Sequence, residues 1–144
     1  MRLVLFDNRV ADHSLGFRHE HAKRKADRRV LIVDDNRDTA LTLAAVLRAM
    51  GYSTVAVAHD GRSALQIACE QKSQVVFIDL VMPDMDGFDL AHRLRGIDPA
   101  GDVRLIALTG FSDEVFVRYA KDAKFDALVV KPPSDGELER VLEA

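Results

Sequence analysis

The chain is 144 residues long, 48% hydrophobic and 30% charged, with a single cysteine. This suits one globular domain with its own core and excludes a wholly disordered chain, a disulfide framework and, for want of a run of ~18–20 apolar residues, a membrane-spanning helix. The net charge of −3 divides unevenly: residues 1–29 hold 8 Lys/Arg and 4 Asp/Glu, a net of +4, while residues 30–144 hold 12 and 19, a net of −7. An acidic body argues against a domain that binds nucleic acid.

Residues 1–28 show no sustained period and are expected to be a flexible extension. Leu3 to Phe6 could make a short strand, but the apolar stretch ends at Asp7, too early for a signal-peptide core. His13 and His19-Glu20-His21 lack the spacing of a defined metal site. Lys23-Arg24-Lys25 with Arg28-Arg29 is a short basic run without interleaved aromatics, so neither feature is assigned a role.

From residue 29 to 144 the pattern is that of a domain. Val30 to Val33 is apolar on successive positions, as in a strand buried on both faces, and ends in Asp34-Asp35. Ala40, Leu43, Ala44 and Leu47 recur at helical spacing before Gly51, a helix stop. Tyr52 to Ala58 reads as a strand, Asp60-Gly61 as a turn, and Arg62 to Gln71 as a helix. Val75 to Ile78 is a further buried strand ending in Asp79. A loop with Met82-Pro83 and Asp86-Gly87 leads to a helix over Phe88 to Leu94. Arg104 to Leu108 ends at Thr109-Gly110, and Ser112, Asp113 and Glu114 open the next helix with acids at its positive end. Ala127 to Val130 ends at Lys131, and Ser134 to Leu142 forms the last helix.

Five strands alternating with five helices predict an α/β, doubly wound parallel sheet with helices on both faces. Ligands of such sheets sit beyond the strand carboxyl ends. Asp34, Asp35, Asp79, Thr109 and Lys131 all fall there. Three converging carboxylates repel unless one stays protonated or a cation joins them, and a hard divalent ion such as Mg²⁺ suits that donor set. A carboxylate can also attack phosphorus, with an ammonium and a hydroxyl to neutralise phosphoryl oxygens. Singly, each residue has a structural explanation: Asp35 as a helix cap, Thr109 as a strand end, Lys131 as a solvated turn residue.

Together these residues resemble a response-regulator receiver domain. The resemblance covers ~115 residues from Arg29 onward and rests on four features. These are Asp34-Asp35, the segment Asp79-Leu80-Val81-Met82-Pro83-Asp84-Met85-Asp86-Gly87, Thr109-Gly110 and Lys131-Pro132. It implies the flavodoxin-like strand order 2-1-3-4-5. It implies Asp79 as phosphoacceptor, with Mg²⁺ on Asp35, Asp79 and the Val81 backbone carbonyl and, through water, on Asp34. Lys131 would pair with the phosphoryl oxygens and Thr109 would report phosphorylation. The Lys131-Pro132 bond would be cis. The phosphoryl donor would be a histidine kinase or histidine phosphotransfer protein and the output a downstream protein target. Neither nucleic acid nor a membrane is expected as a partner of the receiver. A homodimer could form through the 112–123 helix with the last strand and helix.

The chain departs from the family pattern at Leu128, where an aromatic is usual, and at Lys124, where glycine is usual and a left-handed backbone costs roughly 1 kcal/mol. Val81 and Phe111 would flank an attacking water without orienting it, so self-hydrolysis is expected to be slow and no other enzymatic activity is expected. A stand-alone cytoplasmic receiver is the leading expectation, since no residues after 144 supply an output domain. The alternatives are an excised receiver of a hybrid histidine kinase and a phosphorylation-independent adaptor of the same fold. A phosphatase would want a second carboxylate at position 81, where Val81 stands.

Overall fold

The computed structural model describes residues 2–6, 24–98, 101–111 and 113–143. The histidine motif at 13–21 and the proposed helix opener Ser112 lie outside them. The strands are β1 (Leu3–Leu5), β2 (Arg29–Val33), β3 (Thr54–Ala58), β4 (Val75–Asp79), β5 (Arg104–Thr109) and β6 (Ala127–Val130). The helices are α1 (Arg37–Ala49), α2 (Gly61–Gln71), α3 (Gly87–Ile97), α4 (Glu114–Asp122) and α5 (Asp135–Glu143), and a 3₁₀ turn covers Lys25–Asp27.

The sheet runs β1-β6-β5-β4-β2-β3. β2 to β6 are parallel to one another, in the expected 2-1-3-4-5 order of the alternating unit. The sheet has six strands rather than five, because β1 adds an antiparallel edge with Leu3 opposite Val129, Val4 opposite Leu128 and Leu5 opposite Ala127. The short strand allowed for Leu3 to Phe6 is therefore part of the sheet. It covers the outer edge of the last strand, an edge counted in the expected dimer face. An antiparallel strand satisfies main-chain groups that a bare parallel edge leaves open.

Strand alternation sorts the core into two layers. Ile32, Phe77, Ile106 and Val129 face α1 and α5 through Leu43, Leu47 and Leu138. Leu31, Ile78, Leu105 and Leu128 face α2, α3 and α4 through Ala64, Leu90 and Ala120. Each fully buried Leu, Ile or Phe in these layers contributes about 1.5–3 kcal/mol.

Four helices start on a side chain that accepts from the amide three residues on. These caps are Asn36, Asp60, Asp86 and Asp113. Asn36 caps α1, so Asp35 is free of that duty. α5 opens with a reciprocal pair: Ser134 Oγ accepts from the Glu137 amide, and Glu137 Oε1 accepts from the Ser134 amide. At the end of α4, Lys124 takes a left-handed backbone with φ 69°, as its place in the pattern implies. The Phe125 amide returns to Ala120 O, and the buried Phe125 ring meets Phe88 edge-on at 6.4 Å. That contact offsets the cost at Lys124.

Candidate phosphoryl and metal site

The parallel order brings the carboxyl ends of β2, β4, β5 and β6 side by side, and the predicted residues meet there. One carboxylate oxygen from each of Asp34, Asp35 and Asp79 lies within 4.8 Å of the others. Asp34 is fully buried, Asp79 is 6% exposed and Asp35 is exposed to solvent.

The two buried carboxylates each accept from the main-chain amide two residues on. The Asp34 amide donates to Ala58 O, while Asp34 Oδ1 accepts from the Asn36 amide at 3.0 Å. Lys131 Nζ lies 3.2 Å from Asp34 Oδ2 and 3.6 Å from Asp79 Oδ2. The Lys131-Pro132 peptide is cis, and the Lys131 amide donates to Thr109 O at 2.7 Å. The exposed Val81 turns its amide inward, donating to Asp79 Oδ1 at 3.2 Å.

Burial raises the pKa of Asp79 to about 7, and the neighbouring Asp34 carboxylate adds to the rise. The Val81 amide and the Lys131 ammonium pull the other way without overcoming it. One ammonium is thus set against three clustered carboxylates, the imbalance that a hard divalent cation removes. The donor set fits such an ion.

Thr109 is 1% exposed, and its hydroxyl donates to Phe111 O at 2.5 Å. The half-exposed Phe111 ring lies 5.1 Å from Phe116, which meets Phe88 at 6.2 Å. Tyr119 meets Phe88 edge-on at 5.9 Å. Leu128, at the position where an aromatic was expected, is fully buried beneath α4 and beside Val4 of β1.

Two partners escaped the sequence reading. His59 Nδ1 lies 2.9 Å from the carbonyl oxygen of Asp34, which requires that nitrogen to carry the hydrogen. Its place just after β3, next to β2 in the sheet, was the available signal. The Phe111 carbonyl had no signal, since a backbone acceptor leaves no mark on residue type.

The family model for the response regulator receiver domain matches residues 30–143. The transcriptional regulatory protein PdtaR of Mycobacterium tuberculosis is 37% identical over 118 residues, 81% of this chain and 55% of that protein. The DNA-binding response regulator MtrA of Mycobacterium leprae is 36% identical over 110 residues, covering 76% and 47%. The chain thus spans about half the length of the curated relatives it matches. Among solved structures, chemotaxis protein CheY4 of Vibrio cholerae superposes with a TM-score of 0.75 at 28% identity, covering 81% of this chain and 96% of that one. The receiver domain of the histidine kinase CKI1 from Arabidopsis thaliana, complexed with Mg²⁺ and BeF₃⁻, superposes at 0.69 with 25% identity, covering 81% and 91%. Among the described residues no helix is long and apolar enough to cross a membrane.

Proposed function

The chain belongs to the response regulator receiver family, and from that premise we propose that it accepts a phosphoryl group on Asp79 from a phosphohistidine of a histidine kinase or phosphotransfer protein. The observation that carries this reading is the convergence of Asp34, Asp35, Asp79 and Lys131 on one rim, with Lys131 Nζ within reach of both buried carboxylates. An Asp79 oxygen attacks phosphorus, the P–N bond breaks, and its electron pair returns to the imidazole nitrogen, which then takes a proton. Asp35, Asp79 and the Val81 carbonyl would hold Mg²⁺, with Asp34 reaching it through water. The bound ion supplies charge neutralisation at the phosphoryl oxygens. Lys131 pairs with the same oxygens.

Thr109 reports the event. Its single hydroxyl hydrogen is committed to Phe111 O, so donating to a phosphoryl oxygen releases that carbonyl. The freed loop shifts Phe111 against Phe116 and, through Phe88, changes how α4 sits on α3. This route does not require an aromatic side chain at Leu128. The chain carries no other enzymatic activity and passes its signal to a protein partner.

Beryllofluoride with Mg²⁺ tests the site as a phosphoryl stand-in. Adding beryllofluoride to the Mg²⁺-loaded protein is expected to shift thermal unfolding further upward, by about 2.7 kcal/mol at a hundredfold excess over Kd. Asp79→Asn should remove the shift. A shift that survives this substitution contradicts the assignment.

The phosphorylated form is expected to be long-lived. Val81 and Phe111 are both more than half exposed beside the site, and neither side chain can hydrogen-bond an attacking water. A Val81→Asn, Phe111→Glu variant adds two groups that can, each worth about 1 kcal/mol, and should release phosphate roughly thirtyfold faster. Equal decay of variant and wild type after acetyl-phosphate loading refutes this point.

A further inference from the structure

Residues 2–6 lie outside the stretch that matches the family, yet they end at the site. Arg2 Nη2 donates to Pro132 O at 2.8 Å, to Val130 O at 3.3 Å and to Glu137 Oε1 at 3.2 Å. Val130 and Pro132 are the two residues flanking Lys131. One guanidinium therefore grips the main chain on both sides of the lysine. The Val130 amide donates back to Arg2 O at 2.9 Å, which fixes the register of the contact. The Glu137 oxygen that Arg2 touches is the one that accepts from the Ser134 amide. The segment from β6 to the cap of α5 is thereby held at three points by a residue at least 128 positions away in sequence. All three side-chain contacts come from the one nitrogen Nη2, whose two hydrogens are shared among the acceptors.

We propose that Arg2 is a positioning residue for Lys131: it fixes the backbone on either side of the lysine so that Nζ is presented to the phosphoryl group on Asp79. The inference rests on the receiver reading above. It makes β1 part of the phosphoryl site's support rather than an appendage. An Arg2 that only staples an edge strand to the sheet would influence stability and leave the site's ligand preference unchanged.

Binding of Mg²⁺ alone, and of beryllofluoride at saturating Mg²⁺, separates these cases in the full chain. Four proteins are compared: wild type, Arg2→Ala, Lys131→Gln and the double variant. Arg2→Ala is expected to weaken beryllofluoride binding by roughly three- to tenfold, the effect of one lost hydrogen-bonding group, without weakening Mg²⁺ binding. In the Lys131→Gln background the same substitution should cause no further loss. Unchanged beryllofluoride binding in Arg2→Ala, a parallel loss of Mg²⁺, or an equal loss with and without the lysine would each overturn the proposal while leaving the receiver reading intact. A wild type that binds no beryllofluoride would overturn the receiver reading and this inference with it.

Discussion

Asp79→Asn is expected to stabilise the metal-free protein, and increasingly so as the pH rises. Burial and the Asp34 charge raise the Asp79 pKa to about 7, against about 3.9 for an unfolded aspartate. Between those values the folded chain keeps a proton that the unfolded chain has lost. Stability therefore falls as pH rises through that window, is undiminished below about pH 4, and levels off above pH 7. The difference between variant and wild type should grow by about 2 kcal/mol between pH 5 and pH 8. Denaturant melts in EDTA at the two pH values measure it. Mg²⁺ at pH 8 should restore the wild type and leave the variant unmoved, because the metal takes the ionised carboxylate. A wild type more stable at pH 8 than at pH 5 relative to the variant contradicts the account of the cluster.

Gly87→Ala is the substitution expected to cost most stability. Gly87 opens α3, and its amide donates to Leu80 O at 3.1 Å. A Cβ there would lie 2.4 Å from the carbonyl oxygen of Asp79 and 2.8 Å from Leu80 Cα. Both are backbone atoms of the strand end that carries the phosphoacceptor, so no side chain can swing aside. Overpacking of this kind costs about 3 kcal/mol. The relief available is a displacement of the Asp79–Gly87 loop, which should also weaken Mg²⁺ binding. Gly96, in the same helix with nothing within 4 Å of its notional Cβ, is the control. There alanine should gain about 0.5–1 kcal/mol through helix propensity. Equal effects at the two glycines would mean that the close approach at Gly87 is not real.

The parallel core was legible because its signals are local. Four-residue apolar runs ending in Asp34, Asp79, Thr109 and Lys131 give the strands, and the topology of alternating units places all their carboxyl ends on one rim. Caps were legible in kind but not to the residue: α1 is capped by Asn36 rather than by its neighbour Asp35, and α4 by Asp113 rather than by the expected opener Ser112. β1 was readable only as a possibility. Three residues of antiparallel edge, set apart from the domain by a polar stretch, carry no period that tells a docked strand from a loose end. Its partner choice depends on the main chain of β6, more than 120 residues on. The contacts of Arg2 with Val130 and Pro132, and of Thr109 with Phe111, end on backbone carbonyls, which every residue has. Such contacts become visible only once the chain is folded. Leu128 packs in the layer under α4, and Val4 of β1 lies beside it on an edge that the sequence left open.

The central claim is a covalent one, so the most direct measurement is the intact mass of the protein after incubation with acetyl phosphate and Mg²⁺. The account predicts a gain of ~80 Da, one phosphoryl group, that requires Mg²⁺ and is absent in Asp79→Ala. No gain in the wild type, or a gain that persists in Asp79→Ala, would contradict it.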